Sequence, residues 1–204
     1  MHAPLWQPSP ASMAASNMTA FMRAAERKFG RRFPDYAALH AWSVTEHEQF
    51  ALALWEFGGV RAERRGDLVV ERRDRMPGAR WFPQARLNFA ENLLRRRDRA
   101  TALVFWGEDR VQSSISYAEL YHEVSRFAQA LRANGLKAGD RVAAYLPNIS
   151  GTVIAMLAAT SIGAIWSSCS PDFGVQGVLD RFGQIEPRIL IGVDGYFYRS
   201  EEHT

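Results

Sequence analysis

Residues 142–171 carry no charged side chain, and this run of 30 residues constrains the fold more than any other feature. An uncharged stretch of that length is either a membrane span or a series of elements buried on both sides. Its most apolar window, 149–166, holds 12 apolar residues in 18 positions, enough for a spanning helix by length alone. The window follows Pro147-Asn148 and is interrupted by Ser150, Gly151, Thr152, Thr160, Ser161 and Gly163, with no cluster of Lys or Arg close on either side. A buried helix followed by a buried strand accounts for this pattern, so no membrane association is expected. The N-terminal residues Met1-His2-Ala3-Pro4-Leu5-Trp6 lack a basic segment leading into an apolar run. They do not read as a secretory signal, and the expected setting is cytoplasmic.

The uncharged run sits inside an alternation. Residues 141–146 form a short apolar strand broken by Pro147-Asn148, and 151–162 are helix-like up to Gly163. Residues 164–168 are strand-like, and Ser170-Pro171-Asp172 makes a loop. Residues 175–184 place Val178, Leu179 and Phe182 on a helix ended by Pro187, and 188–193 form a third strand. A βαβαβ run implies an α/β fold with a parallel sheet and right-handed crossovers. Ligands of such sheets bind outside the carboxyl ends of the strands. Here those ends are 147–150, 168–173 and 194–196; the middle one is the most polar, and Gly174 follows it where the next helix begins. Helix N-termini favour anions, which points weakly to a nucleotide. Gly174 and Gly177 do not complete a G-x-G-x-x-G fingerprint.

The preceding residues are mostly helical. Met18, Phe21, Met22, Ala25 and Phe29 line one face of a helix over 16–29, closed by Gly30. Asp35 starts a short helix with Leu39 and Trp42. Ser43-Val44-Thr45-Glu46 reads as a capping box for a helix carrying Phe50, Leu54 and Phe57, stopped by Gly58-Gly59. Leu87, Ala90 and Leu94 mark a short packed helix after Trp81-Phe82-Pro83. Residues 102–106 and 110–115 are read as a hairpin around Gly107-Glu108-Asp109. Ser116-Tyr117-Ala118-Glu119 is a second capping box, opening a helix with Leu120, Val124, Phe127, Ala128 and Leu131 inward, ended by Gly135. Trp42, Trp55, Trp81, Trp106 and Trp166 are expected in the core.

Composition narrows the chemistry. The single cysteine, Cys169, excludes a disulfide framework and any multi-cysteine metal site. With no His near it in sequence it reads as a buried small thiol rather than a nucleophile. His122 falls on the solvated face of its helix, and no metal role is expected for it. Of 25 basic residues only Lys28 and Lys137 are lysines, and neither sits in a Gly-Lys-Ser/Thr phosphate loop. Residues 61–99 hold 12 Arg against 6 acidic residues, with Arg95-Arg96-Arg97 densest. Without interleaved aromatics or a helix-turn-helix pattern, that excess reads as a solvated surface rather than a nucleic-acid interface.

The stretch "AAYLPNISGTVIAMLAATSIGAIWSSCSPDFGVQGVLDRFGQIEPRILI" resembles the N-terminal half of acyl-CoA synthetases of the adenylate-forming superfamily. "LWQPSP", "DYAALHAWSV", "WFPQARLNFAENLL" and "YAELYHEVSRFAQAL" agree with it, and "NFAENLL" with "GAIWSSCSPDFG" is most similar to the acetoacetyl branch. The resemblance implies that residues 1–100 are the helical N-terminal extension and 101–204 the first part of the AMP-binding (adenylation) domain. It implies a ligase acting on acetoacetate with ATP, CoA and Mg²⁺, and places Ser170, Pro171, Asp172, Phe173, Gly174 and Arg199 near the CoA nucleotide. The family's Thr/Ser/Gly-rich phosphate loop ending in Pro-Lys and its C-terminal catalytic lysine have no counterpart in these residues. Smaller departures are Phe50-Ala51 for Phe-Trp and Ile149-Ser150-Gly151 for Ile-Pro-Glu. The expectation is therefore an N-terminal piece of a longer ligase that binds none of these cofactors fully and has no catalytic residue of its own. A non-catalytic CoA- or protein-binding module, or an acetyl- or propionyl-CoA synthetase-type ligase, are the alternatives.

Overall fold

The computed structural model describes residues 5–107, 111–198 and 201–203, which divide into two compact units, Met1–Leu87 and Asn88–Thr204. The first unit is built on helices α1 (Pro10–Ala14), α2 (Asn17–Phe29), α3 (Tyr36–Thr45) and α4 (His47–Phe57). Local chemistry sets their ends. The Ser16 hydroxyl accepts the Thr19 N–H at 3.2 Å, and Gly30 closes α2 at φ +63°, where a Cβ would be strained. Asp35 caps α3 by accepting the Ala38 N–H at 2.8 Å. Phe21, Ala25, Phe33, Leu39, Trp42 and Ala53 form the core, with Phe21 edge-on to Phe50 and the buried Trp42 indole donating to Gln49 Oε1 at 3.3 Å.

The box read at 43–46 does not form. Helix α3 runs on through Thr45, so the Ser43 and Thr45 hydroxyls turn back onto the carbonyls of His40 and Ala41 instead of capping α4. Glu46 precedes α4 without a side-chain cap. After α4 the chain makes the two-residue pair β1 (Val70–Glu71) and β2 (Arg80–Trp81).

The second unit contains α5 (Phe89–Leu93), β3 (Thr101–Gly107), β4 (Val111–Ser116), α6 (Tyr117–Ala133), β5 (Arg141–Tyr145), α7 (Ser150–Ile162), β6 (Ile165–Cys169), α8 (Val175–Phe182), β7 (Ile189–Gly192), β8 (Tyr196–Tyr198) and β9 (Glu201–His203). Strands β3 and β4 pair antiparallel, Trp106 opposite Gln112; the expected turn residues Glu108 and Asp109 lie outside the described residues. Strands β5, β6 and β7 form the parallel sheet in the order β6-β5-β7. Val142, Ala143 and Ala144 of its centre are fully buried. Alternation divides them between faces. Val142 joins Leu120, Val124 and Leu131 of α6 and Leu157 and Ala158 of α7, whereas Ala143 joins Cys169 and Phe182. The uncharged window thus resolves into α7, the left-handed Gly163 (φ +85°) and β6. Among the described residues no helix is long and apolar enough to cross a membrane.

The division at 87/88 puts α5 in the sheet unit rather than with the helices before it, because Ala90 and Leu94 are buried in the same core as α6 and α7. Two tryptophans expected in the core are outside it: Trp81 is 46% and Trp106 69% exposed. Trp106 shares the outward face of β3 with the exposed Val104, while Leu103 of the other face packs on the core of α6 and α7; Trp81 lies on a two-residue strand whose two residues are both exposed.

Asn88 ties α5 to α7. Its Oδ1 accepts the Glu91 N–H at 3.0 Å as the α5 cap, while its Nδ2 donates to the carbonyls of Thr160 and Ser161 at 3.0 and 3.2 Å. Asn88→Ala is expected to lower stability by about 2 kcal/mol, a cap plus shared carbonyl bonds. Asn88→Asp, ordinarily a good cap, is expected to be no better, because it loses the donor and sets a negative charge against the negative end of α7. Urea unfolding midpoints check this; an Asp variant equal to the parent contradicts it.

The box at 116–119 does form: the Ser116 hydroxyl accepts the Glu119 N–H at 3.2 Å and the Glu119 carboxylate accepts the Ser116 N–H at 2.7 Å. The Ser116 N–H, then its hydroxyl, hold the Glu119 carboxyl below its ordinary range. Its contribution is therefore complete above that range and lost as pH falls through the lowered value. The stability gap between the parent and Glu119→Gln is expected to be open at neutral pH and to narrow below about pH 4. Urea titrations at several pH values measure it.

Candidate functional site

The carboxyl end of the parallel sheet collects the candidate residues. In register, Tyr145 at the end of β5 stands opposite Cys169 at the end of β6 and Gly192 at the end of β7. The loop after β6 therefore begins beside the last residue of the central strand. Within it the Phe173 N–H donates to the Ser170 carbonyl at 3.2 Å, closing a turn, and the Ser170 hydroxyl donates to the Asp172 carboxylate at 2.9 Å. Ser170 and Pro171 are half-buried, whereas Asp172, Phe173 and Gly174 are exposed.

Five of the six predicted site residues are contiguous in this one loop. Arg199 lies outside the described residues. Two residues that the sequence reading did not single out hold the loop. The Tyr145 hydroxyl lies 2.5 Å from the Pro171 carbonyl and 2.9 Å from that of Phe173. The Arg181 guanidinium lies over the Phe173 ring, 4.0 Å from its centroid, while its Nη1 donates to the Gly177 carbonyl at 3.0 Å. Tyr145 had a signal: it is the one hydroxyl-bearing residue in an otherwise aliphatic strand after Arg141. Arg181 had none beyond a helical position.

Gly174 precedes α8 and offers no side-chain cap. The loop's outer part thus combines a carboxylate, an aromatic ring, a stacked guanidinium and an uncapped helix start. That set suits a nucleotide. A carboxylate accepts from ribose hydroxyls, an aromatic ring stacks on a base, and helix N–H groups donate to phosphate oxygens. It does not suit a divalent metal: among the described residues no three His, Cys, Asp or Glu side chains converge.

The opposite edge of the sheet is charged. Before β5, Asp140 Oδ2 accepts the Lys137 backbone N–H at 2.7 Å and lies 3.7 Å from Nε of Arg188, the residue before β7. Lys137 is therefore on the amino-terminal edge, away from the loop. Lys28, in the helical unit, pairs with Glu56. His122 is exposed. Within 61–99, Arg80 pairs with Glu71 and Arg86 with Glu63. In the second unit Arg96 and Arg97 lie over the rings of Tyr117 and Tyr121 at 4.3 and 3.7 Å. In the helical unit a cavity of about 300 Å³ is lined mainly by apolar side chains, among them Phe21, Leu39, Phe50 and Phe57.

Residues 89–203 match the family described as AMP-binding enzyme. The chain is 52% identical over 198 residues to acetoacetyl-coenzyme A synthetase of Rhizobium meliloti (strain 1021), covering 97% of this chain and 30% of that one. It is 41% identical over 203 residues to acetoacetyl-CoA synthetase of Xenopus tropicalis, covering 98% and 30%. Among solved structures, acetoacetyl-CoA synthetase from Streptomyces lividans superposes with a TM-score of 0.91 at 44% identity, over 99% of this chain and 32% of that one. The chain thus spans about 30% of the length of these curated relatives.

Cys169 is buried, and burial raises its thiol above the ordinary range, with Arg181 opposing that only in part. It is expected to stay protonated at neutral pH and to react with a disulfide reagent roughly a hundredfold more slowly in the native chain than in denaturant. Native labelling at the denatured rate would make it an accessible nucleophile after all.

Proposed function

The chain belongs to the AMP-binding enzyme family, and from that premise we propose that it supplies the N-terminal portion of an ATP-dependent acetoacetate–CoA ligase. In that reaction the acetoacetate carboxylate attacks the α-phosphate of ATP, giving acetoacetyl-adenylate and pyrophosphate. The CoA thiol then attacks the mixed anhydride, forming the thioester and releasing AMP. The anhydride step replaces a poor leaving group, a carboxylate oxygen, by a good one. The observation that carries the reading is the match to acetoacetyl-CoA synthetases along nearly the whole chain, with a TM-score of 0.91 to one of them.

Within the reaction this chain's part is to bind. The loop of Ser170, Pro171, Asp172, Phe173 and Gly174 is the proposed seat of the CoA nucleotide, with Asp172 suited to ribose hydroxyls and Phe173 to the base. Arg199 belongs to the same proposal. The residues here do not fit Mg²⁺ or the ATP phosphates: the metal donors do not converge, and both lysines stand elsewhere. Adenylation is accordingly assigned to other parts of the ligase. The division of labour proposed is a helical extension over residues 1–100, whose last helix α5 packs in the core of the sheet unit, and the first part of the adenylation domain over 101–204. A cytoplasmic setting is part of the proposal, in keeping with a free, buried thiol. So is the absence of a nucleic-acid partner, in keeping with arginines that pair with acids or stack on rings.

Exchanging this chain for the matching region of the Rhizobium meliloti enzyme is expected to preserve AMP release that depends on acetoacetate, ATP and CoA. Phe173→Ala within the exchanged region is expected to raise the KM for CoA roughly tenfold, the worth of one base–aromatic stack, and to leave the KM for ATP within about twofold. A chimera that folds but releases no AMP overturns the reading.

A further inference from the structure

We propose that Tyr145 is a positioning residue: its hydroxyl sets the polarity of the loop that receives the ligand. This rests on the proposed role of 170–174 as the CoA seat. The geometry is unusual for a core tyrosine. One phenolic hydrogen is offered to two carbonyl oxygens, those of Pro171 and Phe173, at 2.5 and 2.9 Å. Two carbonyls that are two residues apart thus converge on a single donor, so the loop curls around it.

The consequence follows from peptide geometry. In a trans peptide the C=O and the following N–H point in opposite directions. Turning the Pro171 and Phe173 carbonyls onto the phenol therefore turns the Asp172 and Gly174 N–H groups away from it, the Asp172 N–H toward the Ser170 hydroxyl oxygen at 3.5 Å. The negative ends of both peptide dipoles are held inward and the positive ends outward. An anionic ligand such as a nucleotide phosphate gains from that arrangement, because carbonyl oxygens on the outer side would repel it. The Asp172 carboxylate is the opposing charge in the loop, and the Ser170 hydroxyl donates to it at 2.9 Å.

Tyr145 can act this way because its base is fixed. It ends the central strand, paired with Cys169 on one side and Gly192 on the other. Its half-buried ring packs against the cluster of Ala143, Cys169 and Phe182. The hydroxyl is thus carried by the buried central strand, paired on both edges, to the loop after β6.

The deciding variant is Tyr145→Phe, which keeps the ring and removes only the hydroxyl, with Tyr145→Leu as the variant that removes the ring. If Tyr145 merely packs, Phe behaves as Tyr and only Leu is defective. If it positions the loop, Phe is already defective. In the full chain, Tyr145→Phe is expected to leave the thermal midpoint nearly unchanged. The Pro171 and Phe173 carbonyl carbon resonances should move upfield, and the Phe173 amide should exchange about five- to tenfold faster, as for one lost hydrogen bond. In the active chimera the same substitution is expected to raise the KM for CoA by a similar factor, about five- to tenfold, with kcat and the KM for ATP held. Unchanged loop resonances and exchange overturn the clamp whatever the chimera does. Altered loop signals with an unchanged KM for CoA overturn the positioning role. A wild-type chimera that folds without activity counts against the ligase reading instead, and the clamp is then decided by the loop signals alone.

Discussion

Two-sided burial of strand β5 is the constraint on which the sheet unit depends. Val142, Ala143 and Ala144 are each fully buried, so every backbone N–H and C=O there must find a partner within the protein. Parallel neighbours on both sides supply them, β6 on one edge and β7 on the other. Parallel neighbours in turn require crossover connections, and α7 and α8 are those connections. The side chains obey the same condition. Alanines at 143 and 144 leave room for close layers above and below, and a charge at any of the three positions would be buried without a partner. The absence of charge over 142–171 is the imprint of this one condition on the sequence.

That imprint made the sheet unit legible, together with residues whose conformational role is local. Ser16, Asp35 and Ser116 cap the helices that follow them, because a short oxygen-bearing side chain meets the first-turn N–H whatever the tertiary context. Gly30 and Gly163 end helices in the left-handed region for an equally local reason. What failed depended on contacts the sequence does not display. The Ser43-to-Glu46 pattern matched a capping box, but α3 continues through Thr45, and a hydroxyl inside a helix turns back to the preceding carbonyls. Trp81 and Trp106 were assigned to the core on residue type, yet only one face of a ribbon is covered, and Trp106 lies with Val104 on the exposed face, opposite Leu103. The candidate loop could be read from topology as the polar segment after a buried strand. Its clamp could not, since the convergence of two carbonyls on Tyr145 is a property of the folded loop.

The cation inventory bears on what such a loop can do. A guanidinium is planar and stacks on aromatic faces, whereas an ammonium is a compact, strongly hydrated charge. This chain uses the first property repeatedly: Arg96 on Tyr117, Arg97 on Tyr121 and Arg181 on Phe173. The local excess of arginine is in this respect a packing device as well as a charge.

At the sheet the two edges are unlike. The amino-terminal edge gathers Lys137, Asp140 and Arg188, the Asp140 carboxylate accepting the Lys137 backbone N–H and pairing with the Arg188 guanidinium. The carboxyl edge has a neutral run up to Asp172, with Arg181 reaching the loop from α8 by lying over Phe173. An arginine held by stacking can attract and orient a nucleotide but does not readily give up or accept a proton, being charged throughout the accessible pH range. On the proposed reading, then, the part of the reaction written into these residues is recognition. Acceleration of adenyl transfer requires cations placed on the transferring phosphate, and the one lysine of residues 88–204, Lys137, precedes the amino end of β5, the end opposite the loop.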